Sequence, residues 1–331
     1  MRPTLEPSSQ AGGRQATWLR KHVRAVTCVA VIISAAVIVC AVILVAVVKL
    51  RSPSDPAPST AGSGPIRYLG VYEPNAPGSY AGVEQFAHTV GRQPNLVSYY
   101  SGWGEEFQKE FAETAESHGA TTLVQIDPTN VSLSNIAAGT YDPYLASFAD
   151  SVAAFKHEVI ISFGHEMNGY WYSWGYRHTP ASTFIAAWRH IVTLFRQHGA
   201  DNVKWLWQVN SLSPKTGPPR DWWPGAQYVT WVGISGYYFV PGDTFYNLFD
   251  PVVYAVRQFT QDPILIAETG VGPQAGQTRG IEDLFAGVRM QHDIGLVWFD
   301  RHSYGGIYKG EDWRLEGNRI AIAAFRDALK G

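Results

Sequence analysis

The sequence predicts an α/β fold, a (β/α)8 TIM barrel preceded by one N-terminal transmembrane helix and a flexible linker. Three observations carry this. Residues 66–331 have the size of such a barrel, which typically needs about 250 residues. Eight short apolar runs recur along them, and amphipathic stretches separate most of the runs. Ahead of them, Ala25 to Val48 is a 24-residue run without a charge, Pro or Gly.

That run comes first in the chain. At about 1.5 Å per residue it is long enough for a hydrocarbon core of ~30 Å. It ends in Lys49, Leu50 and Arg51 rather than in a small-residue cleavage site, so it reads as an uncleaved anchor. Arg2, Arg14, Arg20, Lys21 and Arg24 precede it. The positive-inside rule then puts residues 1–24 in the cytoplasm as a basic tail and everything after the span outside the cell membrane. Residues 49–65, rich in Pro, Ser and Gly, read as an extended tether.

The exported part has 19 Lys and Arg against 27 Asp and Glu, a net charge of −8. That balance argues against nucleic acid as a partner. Both cysteines, Cys28 and Cys40, lie within the apolar span, so the exported part has neither a disulfide framework nor thiolate chemistry. Eleven of the twelve Trp lie in it. Trp stacks on sugar rings but also fills cores, so this richness favours carbohydrate only mildly.

The eight strand candidates are 66–72, 95–100, 121–126, 158–164, 203–210, 228–238, 263–268 and 295–300. Their apolar, β-branched character suits a parallel sheet buried on both faces. Between the fourth and fifth, Phe184, Trp188, Ile191, Val192 and Phe195 fall at helical spacing over 183–198. A last amphipathic stretch covers 315–329. The connection between the fifth and sixth runs holds Pro214, Pro218, Pro219 and Pro224, which predicts irregular structure there.

In such a barrel the residues at the C-terminal ends of the strands face the active-site mouth. Glu166 follows the fourth run, inside GHEMNGYWYSWG, and Glu268 closes the seventh, in IAETG. A single glutamate at a strand end is ordinarily a salt bridge or a loop hydrogen bond. Two of them, at ends four and seven, supply the pair of carboxyl groups that glycosidic-bond hydrolysis needs. That chemistry requires no cofactor and no metal, and HEMN lacks the HExxH spacing of a helical zinc site.

HEMNGYWYSWG resembles the signature of glycoside hydrolase family 26, the retaining β-mannanase and β-glucanase barrels. LGVYEP, YYSGWG, WLWQVN, GYY, IAETG, VWFD and EDWRLEG match in order along the rest. The resemblance implies that Glu166 is the general acid/base and Glu268 the nucleophile. It implies that His165 borders the sugar subsites, Asn168 braces the acid-bearing loop and Trp171 lines the cleft. It assigns Tyr237 a hydrogen bond to the nucleophile, Trp298 the platform under the cleaved sugar, and Trp103 and Trp313 outer walls.

Two positions depart from the family pattern: Ser162 stands where an Arg is common and Ser235 where an Asp is common. If the two are spatial neighbours, an opposite-charge pair has been lost together, which could be nearly neutral. The loss also puts inherited mannan specificity in doubt. The expected activity is that of a membrane-anchored glycosidase acting on a β-linked polysaccharide, in the manner of an endo-β-1,4-mannanase, with a monomeric catalytic domain. β-1,3/1,4-Glucan and xylan are the alternative substrates. A barrel that binds wall polysaccharide without cleaving it is the alternative of another class.

Overall fold

The computed structural model describes residues 65–302 and 310–331. The expected tail, transmembrane run and nearly all of the tether lie outside the described residues. Among the described residues, no helix is long and apolar enough to cross a membrane.

Eight strands close into a parallel barrel in sequence order, with the eighth paired to the first. They are β1 (Tyr68–Tyr72), β2 (Leu96–Gly102), β3 (Thr121–Asp127), β4 (Val159–Phe163), β5 (Val203–Asn210), β6 (Trp231–Tyr238), β7 (Ile264–Val271) and β8 (Gly295–Phe299). Each lies on one of the eight runs read from the sequence. The helices are α1 (Ala81–Val90), α2 (Lys109–Ser117), α3 (Leu133–Ala137), α4 (Asp142–Phe155), α5 (Ala181–Gln197), α6 (Phe245–Leu248), α7 (Asp250–Arg257), α8 (Gln277–Met290) and α9 (Arg319–Ala328). Between β5 and β6 there are only two short 3-10 turns, Pro219–Trp222 and Ala226–Tyr228, as the prolines predict.

Strand alternation sorts side chains into two cores. Leu96, Leu123, Ile160, Leu206, Leu265 and Val297 point inward and pack together as the barrel floor. Their neighbours Val97, Val124, Ile161, Trp207, Ile266 and Leu296 point outward into the larger core beneath the helices. On α5 the residues at helical spacing, Phe184, Trp188, Ile191, Val192 and Phe195, are all buried. Burying each such side chain contributes roughly 1.5–3 kcal/mol before the entropic cost of ordering it.

One strand breaks the alternation. Ile234 pairs with Ile266, but the next residue, Ser235, pairs with Glu268, so Ala267 is an extra residue in β7. Strict alternation from the inward Leu265 would turn Glu268 outward under the helices. The bulge brings it back to the inside, a common use of bulges beside active sites.

Asp293, just before β8, is buried and neither of its carboxyl oxygens has a hydrogen-bond partner. Burial pushes it up to about 8. The folded state therefore holds this proton more tightly than the unfolded chain. Its contribution is full at acid pH and is lost as pH rises from about 4 towards 8, at up to about 1.4 kcal/mol per pH unit. Denaturant titrations at pH 5 and pH 8 should show that Asp293→Asn removes this part of the pH dependence, gaining most on the wild type at pH 8.

Candidate active site

The loop after β4 carries the first carboxylate. Glu166 has a positive φ of 55°, a strained conformation for a residue with a side chain. Two backbone bonds hold it there: its N–H donates to Gln208 O at 2.8 Å, and its C=O accepts from Gly169 N–H at 2.8 Å. Asn168 ties the loop to β5 twice, donating to Asn210 O at 2.9 Å and accepting from Asn210 N–H at 2.7 Å. The acid's own oxygens are held by Asn210 Nδ2 at 2.8 Å and Trp171 Nε1 at 2.7 Å. Trp171 reaches the acid by lying against Gly169, where a Cβ would come within 2.3 Å of the indole.

Glu268 faces the same space from β7. It accepts hydrogen bonds from the hydroxyls of Tyr100 on β2 and Tyr237 on β6. Burial, and then the Glu268 charge itself, hold both phenols well above their usual pKa, so both remain donors. The carboxyl is pushed up to about 6. Burial is the main cause and the Glu166 charge adds to it; His165 and the two phenols pull the other way.

His165 is buried beside both carboxylates. Its Nδ1 is 2.8 Å from Asp127 Oδ1 and its Nε2 is 3.1 Å from the Tyr172 hydroxyl. Trp174, itself buried, stacks on Tyr172 at 4.3 Å and donates to His165 O at 2.9 Å. Further aromatic surface comes from Tyr72, which stacks on Phe299 at 4.6 Å and meets Tyr100 edge-on at 5.1 Å. Among the described residues, no group of three His, Cys, Asp or Glu is arranged to hold a metal ion.

The structure therefore gathers Glu166, Glu268, His165, Asn168, Trp171 and Tyr237 at the barrel mouth. Trp313 joins them as a buried wall, 4.6 Å from the Tyr237 ring. Trp103 packs on Tyr141, Tyr144 and Phe163.

Trp298 requires a correction. It is fully buried on the outer face of β8, edge-on to Phe325 of α9 at 5.3 Å, with Nε1 donating to Trp313 O at 2.9 Å. The inward ring at the end of that strand is its neighbour, Phe299, which meets Tyr237 edge-on at 5.7 Å.

Ser162 lies on β4 and Ser235 on β6, both buried. β5 lies between their strands, and Ser235 Oγ accepts from Gln208 Nε2 of that strand at 2.9 Å.

Four residues of the constellation escaped the sequence reading: Tyr100, Asp127, Tyr172 and Asn210. For three of them a usable signal was present. Tyr100, Asp127 and Asn210 each lie four residues beyond an inward floor leucine, Leu96, Leu123 and Leu206, and so face the mouth.

A closed parallel barrel with two buried carboxylates and aromatic walls at the C-terminal ends of its strands defines the class of barrel glycosidases. The sequence profile described as Glycosyl hydrolase family 26 matches residues 96–268. Endoglucanase H of Acetivibrio thermocellus is 30% identical over 267 residues, 76% of this chain. The chain belongs to glycosyl hydrolase family 26. The β-1,3-xylanase TXYA of a Vibrio species is 27% identical over 191 residues, 57% of this chain. The chain spans only 29% of Endoglucanase H and 39% of the xylanase. Among solved structures, the Bacillus subtilis mannanase BCman superposes with a TM-score of 0.60 at 16% identity, over 80% of this chain and 86% of that one. At that identity the likeness is one of fold.

Trp298→Ala separates a core role from a cleft role. It should cost roughly 3–5 kcal/mol in chemical denaturation. Trp298→Phe, which keeps most of the volume, should leave KM for any cleaved glycan near the wild-type value.

Proposed function

We propose that the chain hydrolyses β-linked polysaccharide by double displacement, with Glu268 as nucleophile and Glu166 as general acid/base. The observation that carries this reading is that two buried carboxylates, after β4 and on β7, lie close enough for the Glu166 charge to act on Glu268. Glu268 is held by two phenol donors at the end of a bulged strand. Glu166 sits on a strained loop with an amide and an indole on its oxygens.

In the first step Glu268 attacks the anomeric carbon while Glu166 protonates the leaving oxygen. A glycosyl ester forms on Glu268. In the second step Glu166 takes a proton from water, the water oxygen bonds the anomeric carbon, and Glu268 leaves as carboxylate. Charge grows on Glu268 again as it departs, and Tyr100 and Tyr237 are placed to stabilise it.

The backbone of the substrate is argued from the relatives. Those similar in sequence are named an endoglucanase and β-1,3-xylanases, at 26–30% identity. The mannanases resemble the chain at 13–17% identity, in fold. That ordering favours a gluco- or xylo-configured β-glycan, with β-1,4-mannan as the second reading. Residues 25–48 are proposed as a single membrane anchor that leaves the barrel outside the cytoplasm. Recovery of the full chain in the soluble fraction without detergent would overturn the anchor.

The full chain should be tested on mixed-linkage β-glucan, β-1,3- and β-1,4-xylan and β-1,4-mannan, with the first-formed anomer read by proton NMR. Retention of configuration is expected; inversion would rule out the double displacement. Glu268→Ala should abolish turnover on every glycan the wild type cleaves. Glu166→Gln should cost roughly 10²–10⁴-fold in kcat. The acid limb of kcat/KM should fall near pH 6, since Glu268 must be ionised to attack and is protonated below that value.

A further inference from the structure

Asp127 has no role in the mechanism above, yet it ends β3 facing the mouth and makes the shortest polar contact of the His165 ring, 2.8 Å from Nδ1. We propose that Asp127 is a positioning residue: its carboxylate holds His165 as the imidazolium cation, and that cation keeps Glu268 in the ionised form the attack requires. The proposal rests on the reading of Glu268 as nucleophile and adds a cause for its charge.

The geometry argues as follows. The imidazole is only 2% exposed, so bulk water does not solvate a charge on it. Its surroundings come from four directions. Asp127 arrives from β3 and Tyr100 from β2, with ring centroids 5.3 Å apart for the latter. Tyr172 and Trp174 arrive from the following loop, at 4.9 and 6.0 Å between rings. The carboxylates of Glu166 and Glu268 complete the set; both act on the ring's charge. Among the described residues, the charged groups acting on His165 are thus three acids, and of these only Asp127 lies within ion-pair distance of the ring.

The rings of Tyr100, Tyr172 and Trp174 leave the imidazole little room to turn, so Nδ1 stays on Asp127. Tyr100 also donates to Glu268, which brings the cation and the nucleophile against one shared phenol. Burial by itself would lower His165; the Asp127 charge and hydrogen bond outweigh it and push the ring up to about 9. His165 in turn is the leading group that pulls Glu268 down. A Coulomb interaction between such buried groups is large, because the effective dielectric there is well below that of bulk water.

The test uses the full chain as wild type, Asp127→Asn, Asp127→Glu, His165→Gln and the double variant Asp127→Asn/His165→Gln. Long-range nitrogen–proton NMR reads the charge of the His165 ring, assigned by its loss in His165→Gln. Carboxyl carbon NMR reads the titration of Glu268. In the wild type the ring should stay doubly protonated at pH 7.5, and in Asp127→Asn it should be neutral. Glu268 should then titrate about one pH unit higher in Asp127→Asn and in His165→Gln alike. The double variant should add little to Asp127→Asn, because that change already leaves the ring neutral.

The acid limb of kcat/KM should move with Glu268, giving about a fivefold loss at pH 6 that nearly vanishes at pH 8. Asp127→Glu should recover most of the wild-type titration. A neutral His165 in the wild type at pH 7.5 overturns the proposal, as does an unshifted Glu268 in Asp127→Asn. A loss of activity that is uniform with pH, with both NMR titrations unchanged, means that Asp127 is merely structural. If no glycan is cleaved, the glycosidase reading fails, while the two NMR titrations still decide whether Asp127 sets the charges.

Discussion

The structure depends on keeping one carboxylate charged where water cannot solvate it. Glu268 is buried, and an unpaired buried carboxylate would take up a proton rather than stay ionised. Two phenols, from strands on either side of the mouth, replace the lost water hydrogen bonds. They are neutral donors, so they stabilise the charge without forming a salt bridge that would quench it. The adjacent His165 lowers the Glu268 pKa further. With burial and Glu166 pulling the other way, Glu268 settles at about 6, a value from which it can both attack and leave.

The barrel exists to deliver these groups from distant parts of the sequence to one point. Tyr100 and Glu268 are 168 residues apart, Glu166 and Asn210 are 44 apart. Parallel closure brings every strand's C-terminal end to the same face, so each strand needs to contribute only one residue. Two local irregularities complete the assembly. The extra residue Ala267 turns Glu268 inward, and the left-handed backbone at Glu166 aims the acid back over the strand ends. Both are departures from ideal geometry, and both fall at carboxylates assigned to the chemistry. That is where stored strain is expected to concentrate.

The eight apolar runs were legible because a buried parallel strand is nearly all apolar, and each run lies on a strand of the barrel. The two carboxylates were legible because a glutamate directly after such a run is unusual. Side-chain direction was harder to read. Trp298 and Phe299 are adjacent rings at one strand end, and only the count from the inward Val297 separates the core ring from the cleft ring. A similar count would have found Tyr100, Asp127 and Asn210, whereas Glu268 would have failed it, because the bulge that rescues its direction leaves no mark in IAETG. Tyr172 had no such signal; its place follows from the irregular loop after β4.

The central claim is that Glu268 forms the covalent intermediate. The most direct test is to trap it with a 2-deoxy-2-fluoro glycosyl fluoride of the configuration the protein cleaves, and then to map the labelled peptide by mass spectrometry. The account predicts a single glycosyl group on the β7 peptide, esterified to Glu268. A label on Glu166, or full turnover with no trapped adduct and inverted product, would contradict it.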